Sequence, residues 1–432
     1  MIRQISRSLG PTEQALWLHD QAHPLHFVLT AQFRGDLDPV GLAQALDHLQ
    51  ARHPLLRVSI HTDLSGSPYF VEGSAPIPLQ VLPRLHSQHW QQRVAQELTQ
   101  PFDWAIAPLI RIVLLQSPGL SDLLMTCHHT IADGLSAVIL LRELLTLMNQ
   151  SPLPPAQPLP SALETLLPVQ EPAYPVRVGQ TVLARSLLWV KRLFQPARPP
   201  FHPLANLQLR VQSGSLPPAM TRALLRQCRQ EQTTVHAALC AAFLLALAQQ
   251  ESHLHSLHCF SPVNLRPYLT ASLAETCGLY IVPARTTHDL TAGQTFWNIA
   301  RSLKFQMTGQ LTMEKLQSAC RQIQALTAAR PDPHTLLEIF TDNLNSDLMV
   351  TNLGRLDLPQ QAGSLSLEAV YGPAVLSGFR QERVVGLATL DDRLFFTIVC
   401  SKSAGDDGSD RWPEAAVQIL ERMLAPCQPE VR

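Results

Sequence analysis

The sequence is poor in charge: charged residues make up 16% of the chain, and 33 Lys and Arg against 34 Asp and Glu leave a formal net charge of −1. A surface so balanced carries no excess of positive charge for a phosphate backbone, which argues against a dedicated nucleic-acid binder. Long hydrophobic runs are missing as well. The longest, Ala237 to Ala248, falls well short of the roughly 20 residues a spanning helix needs, so no membrane span is expected. The opening residues Met1-Ile2-Arg3-Gln4-Ile5-Ser6-Arg7 lack an apolar signal core, which makes the cytoplasm the expected compartment. The eight cysteines include no C-x-x-C pair and mostly sit among apolar neighbours, the pattern of reduced, structural thiols. No repeat recurs at a short period, which argues against a solenoid or propeller.

What is present is apolar bulk. A chain of 432 residues, 46% of them apolar, buries a large core and is too long for one usual domain, so two domains are expected. Pro152, Pro154, Pro155, Pro158, Pro160, Pro168, Pro172 and Pro175 fall in one stretch that holds neither a continuous helix nor a central strand. The expected division is therefore a first domain at 1–150, a Pro-rich crossover at 151–205 and a second domain at 206–432. Apolar spacing predicts a helix from Asp38 to Arg52, a strand from Leu56 to Ile60, strands at Leu109 to Leu115 and Asp122 to Cys127, and a helix from Ser136 to Met148. In the second half, Thr233-Thr234 caps a predicted helix, His258 to Val263 reads as a strand, and Val384 to Leu390 and Leu394 to Val399 form a predicted hairpin. An α/β fold follows.

Within the crossover, Val176 to Pro200 has five basic residues and no acidic one, and Gln180 to Phe194 is strongly apolar. Peripheral membrane contact or docking to an acidic carrier protein is one reading. A linker helix with a solvated basic edge is the preferred one, because the apolar residues spread too far around the helix for a clean amphipathic face.

The densest chemical signal is Cys127-His128-His129-Thr130-Ile131-Ala132-Asp133-Gly134, lying between a predicted strand and a predicted helix. His-His-x-x-x-Asp-Gly arises by chance in about one such chain in a thousand. A histidine near neutrality takes a proton from a hydroxyl or amine and returns it to a leaving group. In an extended segment His128 and His129 point to opposite sides, so one faces a cavity and the other packs inside. Two jobs stay open for Asp133: orienting a histidine as in a triad, or pairing with a distant cation beside the turn that Gly134 permits. Zinc is disfavoured, because adjacent histidines diverge. A Cys127–His128 nucleophile is disfavoured for the same reason.

With these residues the chain resembles the HHxxxDG acyltransferases, the CoA-dependent acyltransferase superfamily of condensation domains, PapA-type O-acyltransferases, alcohol acetyltransferases and plant BAHD enzymes. The resemblance extends to Gly35-Asp36-Leu37-Asp38, Arg52-His53-Pro54-Leu55-Leu56-Arg57, Pro101-Phe102-Asp103, Pro108-Leu109-Ile110-Arg111, Pro262-Val263-Asn264-Leu265-Arg266-Pro267 and Thr351-Asn352-Leu353-Gly354. The BAHD signature Asp-Phe-Gly-Trp-Gly is absent, as is the Asn-x-Pro-Gly-Pro pattern of wax ester synthases after Asn352.

The resemblance implies two chloramphenicol-acetyltransferase-like domains forming a pseudo-dimer, with an active-site tunnel between them that donor and acceptor enter from opposite faces. It implies that His129 is the general base, that His128 is structural, and that Asp133 pairs with an arginine, for which Arg266 is the best candidate. Asn352 donates a hydrogen bond to substrate or oxyanion, or else forms a turn. The expected enzyme is a free-standing monomer that moves an acyl group from acyl-CoA or an acyl-carrier protein to a small-molecule or lipid hydroxyl. It forms no acyl-enzyme and uses no metal or organic cofactor. Amide formation with an amine, a noncatalytic carrier- or lipid-binding domain, and a thioester hydrolase are the alternatives.

Overall fold

The computed structural model describes residues 5–168, 207–251, 256–269, 273–290, 294–378, 382–401 and 411–424. The basic segment at 176–200 lies outside them. Where local signals are strong, elements form as the sequence predicts. Helix Pro39–Arg52 starts at Asp38, whose carboxylate accepts from the amides of Val40 (3.1 Å) and Gly41 (2.9 Å), and it buries Leu42, Ala45, Leu46 and Leu49 on one face. Pro54 opens a short 3-10 turn, so the strand predicted from Leu56 runs instead over Val58–Thr62. The helix capped by Thr234, Val235–Gln250, is buried on nearly every side because it packs between Phe296–Gln310 and Trp412–Leu424. The longest apolar run of the sequence is thus a core helix. Among the described residues, no single helix is long and apolar enough to cross a membrane.

Two six-stranded sheets carry the fold. The second runs Ile281–Asp289, Ser256–Asn264, Leu348–Arg355, Arg383–Leu390, Arg393–Ser401, Leu209–Leu216. Its predicted hairpin closes through Asp391 and Asp392, at φ 45 and 58, a two-residue turn whose left-handed conformation matches strand twist. The first sheet runs Gln361–Ala362, Leu365–Val375, His26–Arg34, Leu120–His128, Ile110–Ser117, Leu79–Pro83.

The two strands at one edge of that sheet, Gln361–Ala362 and Leu365–Val375, come from the second half of the chain. Leu365–Val375 pairs antiparallel with His26–Arg34, Val375 opposite Phe27 and Tyr371 opposite Thr30. The physical reason lies in strand His26–Arg34, whose Phe27, Val28, Leu29, Ala31 and Phe33 are all buried: it needs a neighbour on both edges, and the first half supplies only Leu120–His128. Burying side chains of this size contributes roughly 2 kcal/mol each, relative to exposure. A third sheet, Ile5–Ser8, Pro68–Glu72 and Val58–Thr62, caps the first half.

The crossover begins without regular secondary structure and is held by the first half. Arg52 Nη1 donates to the Pro154 carbonyl (2.8 Å), and the Gln157 amide donates to the Arg52 carbonyl (2.9 Å). Among the described residues, seven cysteines, 127, 228, 240, 259, 277, 320 and 400, are buried.

Candidate active site

The His-His pair sits where strand Leu120–His128 ends, beside helix Gly134–Met148. His128 points inward and is fully buried. Its Nδ1 accepts from the Thr130 amide (3.2 Å) and hydroxyl (2.8 Å), which leaves the proton on Nε2. That nitrogen lies 3.2 Å from Asp20 Oδ2, close enough for strong attraction although poorly aligned for a hydrogen bond. Asp20 also accepts from the Leu25 amide (2.7 Å). Burial raises the Asp20 carboxyl, but His128, His26 and the Leu25 amide outweigh it and hold the group well below the usual carboxylate range. The Leu25 carbonyl in turn receives the His129 amide at 3.3 Å.

His129 points the other way, into a cavity of about 500 Å³. Its Nδ1 donates to the Ala132 carbonyl (3.2 Å), which fixes the tautomer with a lone pair on Nε2, and its ring rests on Phe27 at 4.8 Å between centroids. Among the described residues Nε2 makes no hydrogen bond. Burial pushes the imidazole down to about 4, opposed by the nearby charge of Asp133 and reinforced by that of His128. The neutral form is therefore resident at pH 7.

Asp133 is fully buried and caps helix Gly134–Met148. Its Oδ1 accepts from the Ser136 amide (2.8 Å) and faces the Ser136 hydroxyl (2.9 Å); its Oδ2 accepts from Arg266 Nη1 (2.8 Å) and the Tyr280 amide (2.9 Å). These partners occupy the carboxylate, and no histidine is among them. Of the two jobs left open by the sequence, the geometry is that of pairing with a distant cation. Arg266 also donates to Asn264 Oδ1 (3.3 Å), Ser136 Oγ (3.0 Å) and the Thr276 carbonyl (3.2 Å), with its guanidinium 4.8 Å from the Tyr280 ring centre.

Gly134 has its own constraint. A Cβ there would lie 2.7 Å from Leu353 Cδ2 and 3.4 Å from Pro373 Cγ, so the two halves of the chain touch at the motif glycine. Next to Leu353, Asn352 stands on the cavity wall, and its Oδ1 accepts from the Gly354 amide (2.8 Å), with Gly354 at φ +72. The oxygen makes the turn; the NH₂ group has no partner among the described residues. Cys127 is fully buried and its thiol is pushed well up by desolvation, which leaves it inert. Among the described residues, no group of three or more His, Cys, Asp or Glu is arranged to hold a metal ion.

Both halves line the cavity: Thr12, Leu16, His19, Phe27 and His129 from the first, Phe260, Ile323, Phe340, Asn352 and Leu353 from the second. The wall is mostly apolar, as small-molecule sites are. Sequence reasoning missed Asp20, His19, Ser136 and Tyr280. The density of histidines around one carboxylate, at His19, Asp20, His23 and His26, was the signal for the first two; Ser136 and Tyr280 left none.

Residues 9–163 match the family model described as condensation domain, and residues 205–394 match that described as phthiocerol/phthiodiolone dimycocerosyl transferase C-terminus. Both matches are consistent with the CoA-dependent acyltransferase superfamily. One of the plipastatin synthase proteins of Bacillus subtilis (strain 168) is 28% identical over 260 residues, 55% of this chain but 9% of that protein. The chain thus spans less than a tenth of that relative's length. Polyketide synthase associated protein 5 from Mycobacterium tuberculosis superposes with a TM-score of 0.65 at 17% identity, over 99% of this chain and 100% of that one. The first condensation domain of the CDA synthetase gives 0.66 at 17% identity, over 97% of each chain. As in these superfamily domains, two chloramphenicol-acetyltransferase-like lobes form a pseudo-dimer, and the cavity of His129 lies between them.

Proposed function

We propose that this protein transfers an acyl group from a CoA or acyl-carrier-protein thioester to an acceptor hydroxyl, with His129 as general base. The observation that carries the reading is the His129 imidazole: Nδ1 is tied to the Ala132 carbonyl and Nε2 opens its lone pair into a mostly apolar cavity. Nε2 takes the hydroxyl proton as the oxygen attacks the thioester carbonyl. The tetrahedral oxyanion then collapses, the C–S bond breaks, and the imidazolium returns the proton to the departing thiolate. No acyl-enzyme forms, and the thioester is a co-substrate rather than a cofactor. The Asn352 NH₂ group supplies a donor for the oxyanion. His128, Asp133, Gly134 and Arg266 hold the loop. An enclosed apolar site favours transfer over hydrolysis by keeping water out. Because both lobes lie in one chain, a monomer suffices.

A second reading, amide formation with an amine acceptor, is supported by the condensation-domain match over residues 9–163. The same base serves either nucleophile. The test incubates the purified protein and its His129→Ala variant with acyl-CoAs or acyl-loaded carrier protein and a panel of alcohols and amines, read by mass spectrometry. Ester product that vanishes in the variant supports the proposal, amide alone supports the second reading, and full activity of the variant overturns the assignment of the base.

A further inference from the structure

The cavity holds a second imidazole that the reaction above does not use. Helix Pro11–Ala22 presents Thr12, Leu16 and His19 to the cavity along one face. His19 Nδ1 lies 3.2 Å from the His23 carbonyl oxygen, which only accepts, so Nδ1 carries the proton and Nε2 a lone pair. Among the described residues that lone pair has no hydrogen-bond partner. The chain passes close beside it at Gly378, φ +70, where a Cβ would fall 2.9 Å from Nε2. Glu382 fixes that passage by accepting from the Ser377 amide (2.7 Å) and hydroxyl (2.8 Å) and from the Gly378 amide (3.0 Å). Burial holds His19 down to about 3, so the ring is a neutral acceptor at working pH.

His129 and His19 therefore share one arrangement in one cavity: Nδ1 tied to a carbonyl within its own segment, Nε2 free. His19 is 4% exposed, more enclosed than His129, and suited to receiving a hydrogen bond rather than meeting a reacting carbonyl. We propose that His19 determines acceptor specificity, accepting a hydrogen bond from a second O–H or N–H group on the acceptor that does not itself react. The proposal rests on acyl transfer at His129 but concerns recognition alone. A buried acceptor nitrogen left without a donor is costly, so a site with one discriminates strongly against ligands that lack the matching hydrogen.

The experiment measures binding, which needs no turnover. Dissociation constants of 1-octanol, of octanediols with the second hydroxyl at successive carbons, and of the matching amino alcohols are determined for the wild type, His19→Phe and His19→Gln. Thermal melts of each variant check folding. In the wild type at least one ligand with a second donor binds about tenfold tighter than 1-octanol; the ratio falls to about one in His19→Phe and partly returns in His19→Gln, whose side chain keeps an acceptor. A wild-type ratio near one, or no binding of any ligand, overturns the proposal without recourse to a variant. Selective binding with no transfer from any thioester would sink the acyl-transfer reading and leave His19 standing. Transfer that depends on His129, with a ratio of one, would do the reverse.

Discussion

Arg266 Nη1 lies 2.8 Å from Asp133 Oδ2, a buried ion pair between residues 133 positions apart that ties the motif loop of one lobe to the other. Asp133 is fully buried and the Arg266 side chain is 8% exposed, so neither charge has water to fall back on.

Removing one partner leaves the other charge stranded. Asp133→Ala and Arg266→Ala are each expected to cost about 3 kcal/mol of stability and to abolish transfer, whereas His129→Ala abolishes transfer with the fold retained. The double variant should lose less than the sum of the singles, because the second substitution removes a charge already unpaired. Urea melts of the four-protein cycle measure this; strict additivity would mean the pair is not coupled.

Asp20 holds both histidines from behind, His128 directly and His129 through the Leu25 peptide. Asp20→Asn keeps the shape and removes the charge, so kcat is expected to fall ten- to a hundredfold, on the scale that small misplacements of a catalytic group cost. Amide hydrogen exchange at His129 should quicken in the same variant. Unchanged exchange alongside unchanged kcat would show that the strand alone positions the base.

A methyl at the motif glycine meets Leu353. Gly134→Ala should lower stability by roughly 1–3 kcal/mol despite alanine's better helix propensity, since the contact at 2.7 Å forces Leu353 to move beside Asn352. Shortening the partner, in Gly134→Ala with Leu353→Ala, should recover part of the melting temperature. Failure to recover would point to the Pro373 contact instead.

The buried imidazoles make the protein acid-sensitive. His129, His236 and His288 are held down to about 4 and His19 to about 3, each by burial, against an unperturbed value near 6.5. Between 6.5 and 4 the unfolded chain binds more protons than the folded one, so stability falls as pH falls through that window. Melting temperatures from pH 7 to 4.5 should show a steady decline. Over the same range kcat/KM is expected to stay flat down to pH 5, because the free base remains neutral; a break near 6.5 would contradict the depressed value at His129.

Much of this molecule was legible from short-range signals. Asp38 and Thr234 announce helices because a side-chain oxygen satisfies amides within three residues of itself. The opposite facing of His128 and His129 follows from strand geometry alone, and the unusual spacing of His-His-x-x-x-Asp-Gly marked the loop. The partner of Asp133 was reached only by resemblance, and the job of that carboxylate stayed open until Arg266, Tyr280 and Ser136 were seen around it.

By itself, then, the sequence determined the α/β class, several of its elements with their caps, and the reactive loop, since periodicity and capping act over a few residues. The tertiary structure decided what those elements meet. Leu365–Val375 pairs with His26–Arg34 of the other half, and nothing in its own alternation says so. Nor does helix Pro11–Ala22 declare that Asp20 backs His128 while His19 opens into the cavity. Such contacts join segments brought together by strand order and lobe packing, and those depend on the sum of all buried surfaces rather than on any local pattern.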